Sequence, residues 1–140
     1  VSSKDFITRY FEQLGKVLAA VLGFRENKEY ELAEKTIDQQ LNELFQLDNK
    51  QVVSLSIEEL TELVLKRKSV AYDAERAIAE LIYQLSLTYM EMGQTEKSLD
   101  CAEKALAIFR AIDAQSGFFS LDIQERIISL NHQLTSKLNN

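Results

Sequence analysis

Apolar residues recur at three- and four-residue steps along most of the chain, and no stretch alternates strictly enough to make a strand, so helices are the predicted elements. Phe6, Ile7, Tyr10, Phe11, Leu14, Val17, Leu18, Val21 and Leu22 carry a first helix over about residues 3–24. Ser2 followed by Asp5 resembles a capping box with Asp in place of Glu. The second half of this helix is apolar nearly all round, because Ala19, Ala20 and Phe24 fill the gaps. Such a helix is buried on more than one side, which makes it the expected centre of the core. After the polar corner "RENK", Asn27 is placed to cap a second helix over 28–46. Tyr30, Ala33, Ile37, Leu41, Leu44 and Phe45 form its inward stripe; Glu31, Glu34, Lys35, Asp38 and Gln39 lie largely opposite. The short link makes the two helices antiparallel neighbours.

The segment 47–68 is less regular. Asp48 caps a single turn through Val53, and Ser56 with Glu59 forms an S-x-x-E capping box before a short helix from 57 to about 67. Ser69 then starts a long helix ending at Met92, with Ala74, Ala77, Ile78, Leu81, Ile82, Leu85 and Tyr89 in step. Gly93 supplies the left-handed residue that ends it. Thr95, with Ser98 three residues on, is read as the cap of the next helix, whose stripe of Leu99, Ala102, Ala105, Leu106 and Phe109 runs to about Ile112. "DAQSGFF" is read as a loop. Ser120 caps a last helix over 120–138, with Leu121, Ile127, Leu130, Leu134 and Leu138 apolar.

Residues 79–112 resemble a tetratricopeptide repeat, a 34-residue helix–turn–helix unit. Ile82, Leu85, Ser86 and Tyr89 match the first-helix signature, Gly93 the corner, and Ser98, Ala102 and Ala105 the small positions of the second helix. Ala102 replaces an expected aromatic, and Arg110 stands near the place of the closing proline. A weaker echo lies in the first hairpin, where Val17, Ala20, Val21 and Phe24 take the first-helix places and Lys28 stands where glycine is expected. The starts "DFITRYFEQL" and "NKEYELAEKTIDQQL" also look like those of a small bacterial family of helical proteins with a repeat-like second half, a likeness that implies no function. The resemblance implies an all-α fold of about six helices. They stack as antiparallel hairpins in one domain over 1–140, divided 1–46, 47–68, 69–112 and 120–138.

Composition agrees. Among 140 residues there is no proline and glycine occurs four times, a scarcity of breakers that favours helix. The length suits one domain that needs no staple. A net charge of −6 repels phosphate backbones, so nucleic acid is not the expected partner. The run Lys66, Arg67, Lys68 reads most simply as a solvated helix C-terminus favoured by the dipole. The longest apolar run, "VLAAVLGF", is far short of the ~20 residues of a membrane span. One cysteine allows no internal disulfide, and a reducing cytoplasm is the natural expectation. No signal peptide is visible, although the chain opens on Val1 rather than Met, which leaves a removed leader open.

Chemistry-bearing residues are sparse. His132, the one histidine, sits between Asn131 and Gln133 with no carboxylate at a spacing that makes a dyad. Cys101 stands beside Ala102 on a close-packed helix, where a small buried filler is the plainer reading than a nucleophile. Glu58, Glu59, Glu62, Glu75 and Glu80 are abundant acids, but no E-x-x-H pair accompanies them, and a solvated face is the simpler account. Asp5 and Arg9 make an ordinary i, i+4 pair. No Gly-rich phosphate loop, nucleophile elbow or zinc pattern is present.

The expected function is therefore a non-catalytic protein-interaction or scaffolding module without cofactor or metal. If residues 79–112 follow the repeat geometry, Glu80, Tyr83, Leu87, Met90 and Glu91 face the concave side as an apolar strip flanked by acids. Such a strip suits a basic peptide, a helix or a second copy of the chain. The competing account is that the N-terminal hairpin covers it. Phe118 and Phe119 pose a similar choice: at least one is expected to plug the core, and an exposed pair would mark a partner or dimer surface. The runner-up function is a small-ligand or sensory domain with a pocket between the first and fifth helices.

Overall fold

The computed structural model describes residues 3–138, with side chains over residues 12–136. The Ser2–Asp5 cap, the Asp5–Arg9 pair and the side chains of Phe6, Ile7, Tyr10, Phe11 and Leu138 lie outside what is described. Among the described residues the fold is all-α. The elements are α1 (Ser3–Glu26), α2 (Tyr30–Phe45), α3 (Asn49–Ser54), α4 (Ile57–Leu65), a 3₁₀ turn (Val70–Tyr72), α5 (Asp73–Glu91), α6 (Thr95–Ser116) and α7 (Leu121–Leu138).

Capping fixes the short elements. Asp48 accepts from the Gln51 amide at 2.7 Å while Gln51 answers the Asp48 amide, and Ser56 and Glu59 do the same at the start of α4. The bond from Ser56 also holds the Glu59 carboxyl below its ordinary range.

Three corners turn on a left-handed residue, and two of them share one hydrogen-bond pattern. After α5, the Gly93 amide donates to the Met90 carbonyl and the Gln94 amide to that of Tyr89 at 2.9 Å. After α1, the Lys28 amide donates to Arg25 and the Glu29 amide to Phe24 at 2.7 Å. Gly93 has φ 78°, and Lys28 takes the same left-handed place at φ 61°. Gln46, at φ 56°, ends α2 with a wider pattern, its own amide bonded back to Asn42 and that of Leu47 to Leu41. These bonds close the end of α1, and Asn27, expected to cap α2, makes no cap: α2 opens at Glu29 without a side-chain bond. A non-glycine residue in this conformation costs roughly 1–2 kcal/mol, part of which glycine's extra chain entropy takes back. Lys28→Gly is thus expected to raise stability by roughly 0.5–1 kcal/mol, read as a higher urea midpoint.

The other boundaries differ for related reasons. Ser69 does not begin one long helix. Ala71 (φ 52°) and Tyr72 (φ 58°) turn left-handed and break it, so that α5 starts at Asp73. Thr95 makes no cap; Gln94 precedes α6, and the Ser98 hydroxyl donates across to the Ser86 carbonyl at 2.8 Å instead. α6 continues through Ser116 into what read as a loop, because the stop signal is Gly117 at φ 74°.

α5, not α1, is the centre of the core. Ala77, Ile78, Ala79, Leu81, Ile82 and Leu85 are buried on successive sides of it, whereas Ala19 and Ala20 of α1 are exposed and Leu22 is 49% exposed. The reversal has a physical cause. Ser86 and Thr88 make α5 look half polar, but their hydroxyls donate to the Tyr83 and Gln84 carbonyls at 2.6 and 2.8 Å, which removes the cost of burying them. The buried faces of Ser98, Ala102 and Ala105 let α6 approach α5 closely. The Tyr89–Lys97 and Ser86–Ser98 contacts run in opposite sense along the two helices, as do Arg110–Asn131 and Asp113–Gln124 between α6 and α7. α1 meets α5 through Arg25, which reaches Gln84 and Glu91.

Two charged groups expected on the surface are structural. Glu75 is fully buried and accepts from the Ser69 amide and hydroxyl, bracing the break before α5. Arg67 donates to the Phe45 carbonyl and lies 5.3 Å over the Phe45 ring, so it caps the end of α2 rather than facing solvent.

Candidate functional site

α1, α5 and α7 leave a cleft of about 330 Å³ between them. Leu14 and Leu18 of α1, Ala77 of α5, Phe109 of α6 and Ile123 of α7 give it apolar walls. Asp73, Arg76 and Glu80 line it from α5, and Asp122, Glu125 and Arg126 from α7. Four carboxylates thus face two guanidinium groups. Arg126 is committed: its Nε and Nη2 donate to the two Glu80 oxygens at 2.6 and 2.8 Å, and its guanidinium lies 4.8 Å over the Tyr83 ring. The bond to Glu80 raises the Arg126 pKa. Burial raises that of Asp73, opposed by nearby Arg76.

The five residues expected to form a docking strip share α5 but not one hollow. Glu80 lines the cleft and is held by Arg126. Tyr83 lies half-buried under Arg126, Leu87 and Met90 are half-buried further along, and exposed Glu91 sits 3.7 Å from Arg25. The solvated-face account of Glu80 fails because α7 brings Arg126 onto it from 46 residues away. Sequence reasoning missed Asp73, Arg76, Asp122, Glu125 and Arg126. The available signal was the pair of opposite-charge i, i+4 spacings Arg76–Glu80 and Asp122–Arg126.

Phe118 and Phe119 are both exposed, at 39% and 76%, so neither plugs the core. Leu121 and Ile128, seven residues apart on α7, are also exposed.

His132 is exposed on α7. Among the described residues no group of three or more His, Cys, Asp or Glu is placed to hold a metal ion. Cys101 is fully buried, and burial with Asp100 nearby pushes its thiol up to about 12. The thiol should therefore resist a maleimide at neutral pH in the folded chain and react on unfolding. Its folded pKa lies above the ordinary 9.0, so folding favours the protonated form. That contribution is complete below pH about 9 and is lost as pH rises towards about 12, where urea midpoints should fall.

Among the described residues no helix is long and apolar enough to cross a membrane. No protein-family model matches the chain, and comparison with curated proteins and with solved structures gives no significant match to either.

Proposed function

We propose that the chain is a non-catalytic protein-interaction module, tetratricopeptide-like in plan, whose cleft between α1, α5 and α7 receives an amphipathic segment of a partner. In this plan α1, α5 and α7 take the first-helix places of successive units and α2 and α6 the second-helix places. The observation that carries the reading is the cleft itself: apolar walls with an excess of carboxylates at the rim. Apolar walls supply affinity, and the acid excess favours a basic partner by speeding encounter.

A selection from a random peptide display library tests this. Basic amphipathic peptides should be enriched, and they should lose binding to Asp122→Lys with Glu125→Lys, two exposed rim positions whose change leaves helicity intact. Leu87→Asp with Met90→Asp should abolish binding where the partner continues along α5. Enrichment of no peptide, or peptides indifferent to both double variants, contradicts the reading. A small-ligand domain is the second reading, favoured by a volume at the small end of ligand sites. Native mass spectrometry separates the two, since a retained ligand adds a discrete mass.

A further inference from the structure

α7 is apolar on two opposite sides. Ile123 and Leu130 are buried against the rest of the fold, and Ile127 and Leu134 pack beside them. Leu121, Glu125, Ile128, His132 and Thr135 run down the other side at alternating four- and three-residue steps, and all five are exposed. Leu121 is 63% and Ile128 67% exposed, and the corner before α7 adds Phe118 and Phe119. Among the described residues these four are half of the eight large apolar side chains left exposed, and they gather within residues 118–128. The other four, Leu22, Leu32, Leu63 and Val70, are scattered. Single exposed apolar residues are ordinary on a surface, whereas a gathered set marks a contact.

Steps of four and three are the seam of a paired helix, with Leu121, Ile128 and Thr135 at one set of places and Glu125 and His132 at the other. The two polar residues indicate what lies across the seam. Glu125 stands three places before Ile128 and His132 four places after it. A second α7, laid antiparallel with its Ile128 over this one, sets each Glu125 against the partner's His132. The same pairing occurs twice about a two-fold axis, an imidazole donating to a carboxylate each time. Thr135 then lies across from Leu121, and no like charges meet along the seam. Moving the axis one turn towards Glu125 would set Leu121 on the partner's Ile128, but it would bring the two Glu125 carboxylates together, which disfavours that register.

We propose that the outer side of α7 is a dimer surface, on which a second copy of the chain lays its own α7 antiparallel, with Ile128 at the two-fold axis and reciprocal Glu125–His132 pairs on either side. Two polar layers in so short a seam fix the register at a cost in affinity. Few apolar side chains come from each copy, so the contact belongs to the small, reversible class, with a dissociation constant on the order of 100 μM. The seam lies opposite the side of α7 that packs into the fold, and the inference stands whether or not the cleft binds a peptide. Glu125 stands at the edge of both surfaces, so self-association is measured without peptide.

Sedimentation equilibrium of the chain alone, from micromolar to millimolar concentration, tests this. The native chain should pass reversibly from monomer to dimer, and Ile128→Asp should stay monomeric across the range. His132→Glu should weaken the dimer about tenfold or more, because each reciprocal pair becomes a like-charge contact. Adding Glu125→Lys to His132→Glu restores opposite charges across the seam and should return the dimer to near its native strength. All three positions are exposed, so the helices should survive each change, which circular dichroism checks. A native chain that stays monomeric, growth beyond the dimer, association unchanged by Ile128→Asp, or a double variant no tighter than His132→Glu alone overturns the proposal.

Discussion

Lys104→Met is expected to lower the unfolding free energy by about 2–3 kcal/mol. Lys104 is 2% exposed, an unusual place for an ammonium group. Its Nζ donates to the Val52 and Val53 carbonyls at 2.8 and 3.0 Å and to Asp100 at 2.7 Å. The two carbonyls belong to the last turn of α3, which ends at Ser54. Ser56 directs its amide to Glu59 instead, so Lys104 is what closes that helix end. Methionine fills much the same volume, so the loss measures orphaned carbonyls rather than a cavity. Relief from burying a charge offsets part of it, which keeps the net figure near that of two unmade hydrogen bonds. Asp100→Asn should cost under ~1 kcal/mol, because Asp100 is 38% exposed and water replaces the pairing. An urea titration at constant m separates these outcomes. Equal effects of the two substitutions would mean that the ion pair, not the cap, is the interaction that counts.

Leu85→Ala carries the other large expected effect, a loss of about 3 kcal/mol within the 2–5 kcal/mol range of buried leucine truncations. Leu85 is fully buried in the middle of α5, and close packing on both sides leaves little room for collapse around the missing methyls. Leu22→Ala on α1 should cost under ~1 kcal/mol, since Leu22 is 49% exposed. The pair of measurements asks which helix forms the centre. A larger loss at Leu22 than at Leu85 would return α1 to the place its composition suggests.

Local signals in the sequence proved readable where one residue decides. Ser56 with Glu59, Asp48 with the turn after it, and Gly93 at its corner each carry their own stereochemistry, and Ala102 and Ala105 sit in the core as their small size implied. Apolarity misled on α1, because a helix can be apolar all round and still lack a neighbour on one side. Polarity misled on α5, where Ser86 and Thr88 satisfy their hydroxyls within the helix. The break at Ala71 and Tyr72 was illegible, since neither residue type announces a left-handed backbone. Groups that act across the chain left the faintest trace. Lys104 reaches 52 residues back to Val52, and Arg126 reaches 46 back to Glu80; each looks like an ordinary surface charge until the helices close. The cleft rests on the second of these contacts, and for that reason only Glu80 among its charged residues was anticipated.

The account depends most on α5 folding back against α6 at Gly93, with small residues seated at the contact. A nuclear Overhauser spectrum tests it directly. Cross-peaks are expected between Ser86 and Ser98 and between the Tyr89 ring and the Lys97 side chain, with the sequential helical pattern interrupted at Gly93. A helical pattern running unbroken through Gly93, with neither cross-peak present, would contradict the fold and remove the cleft with it.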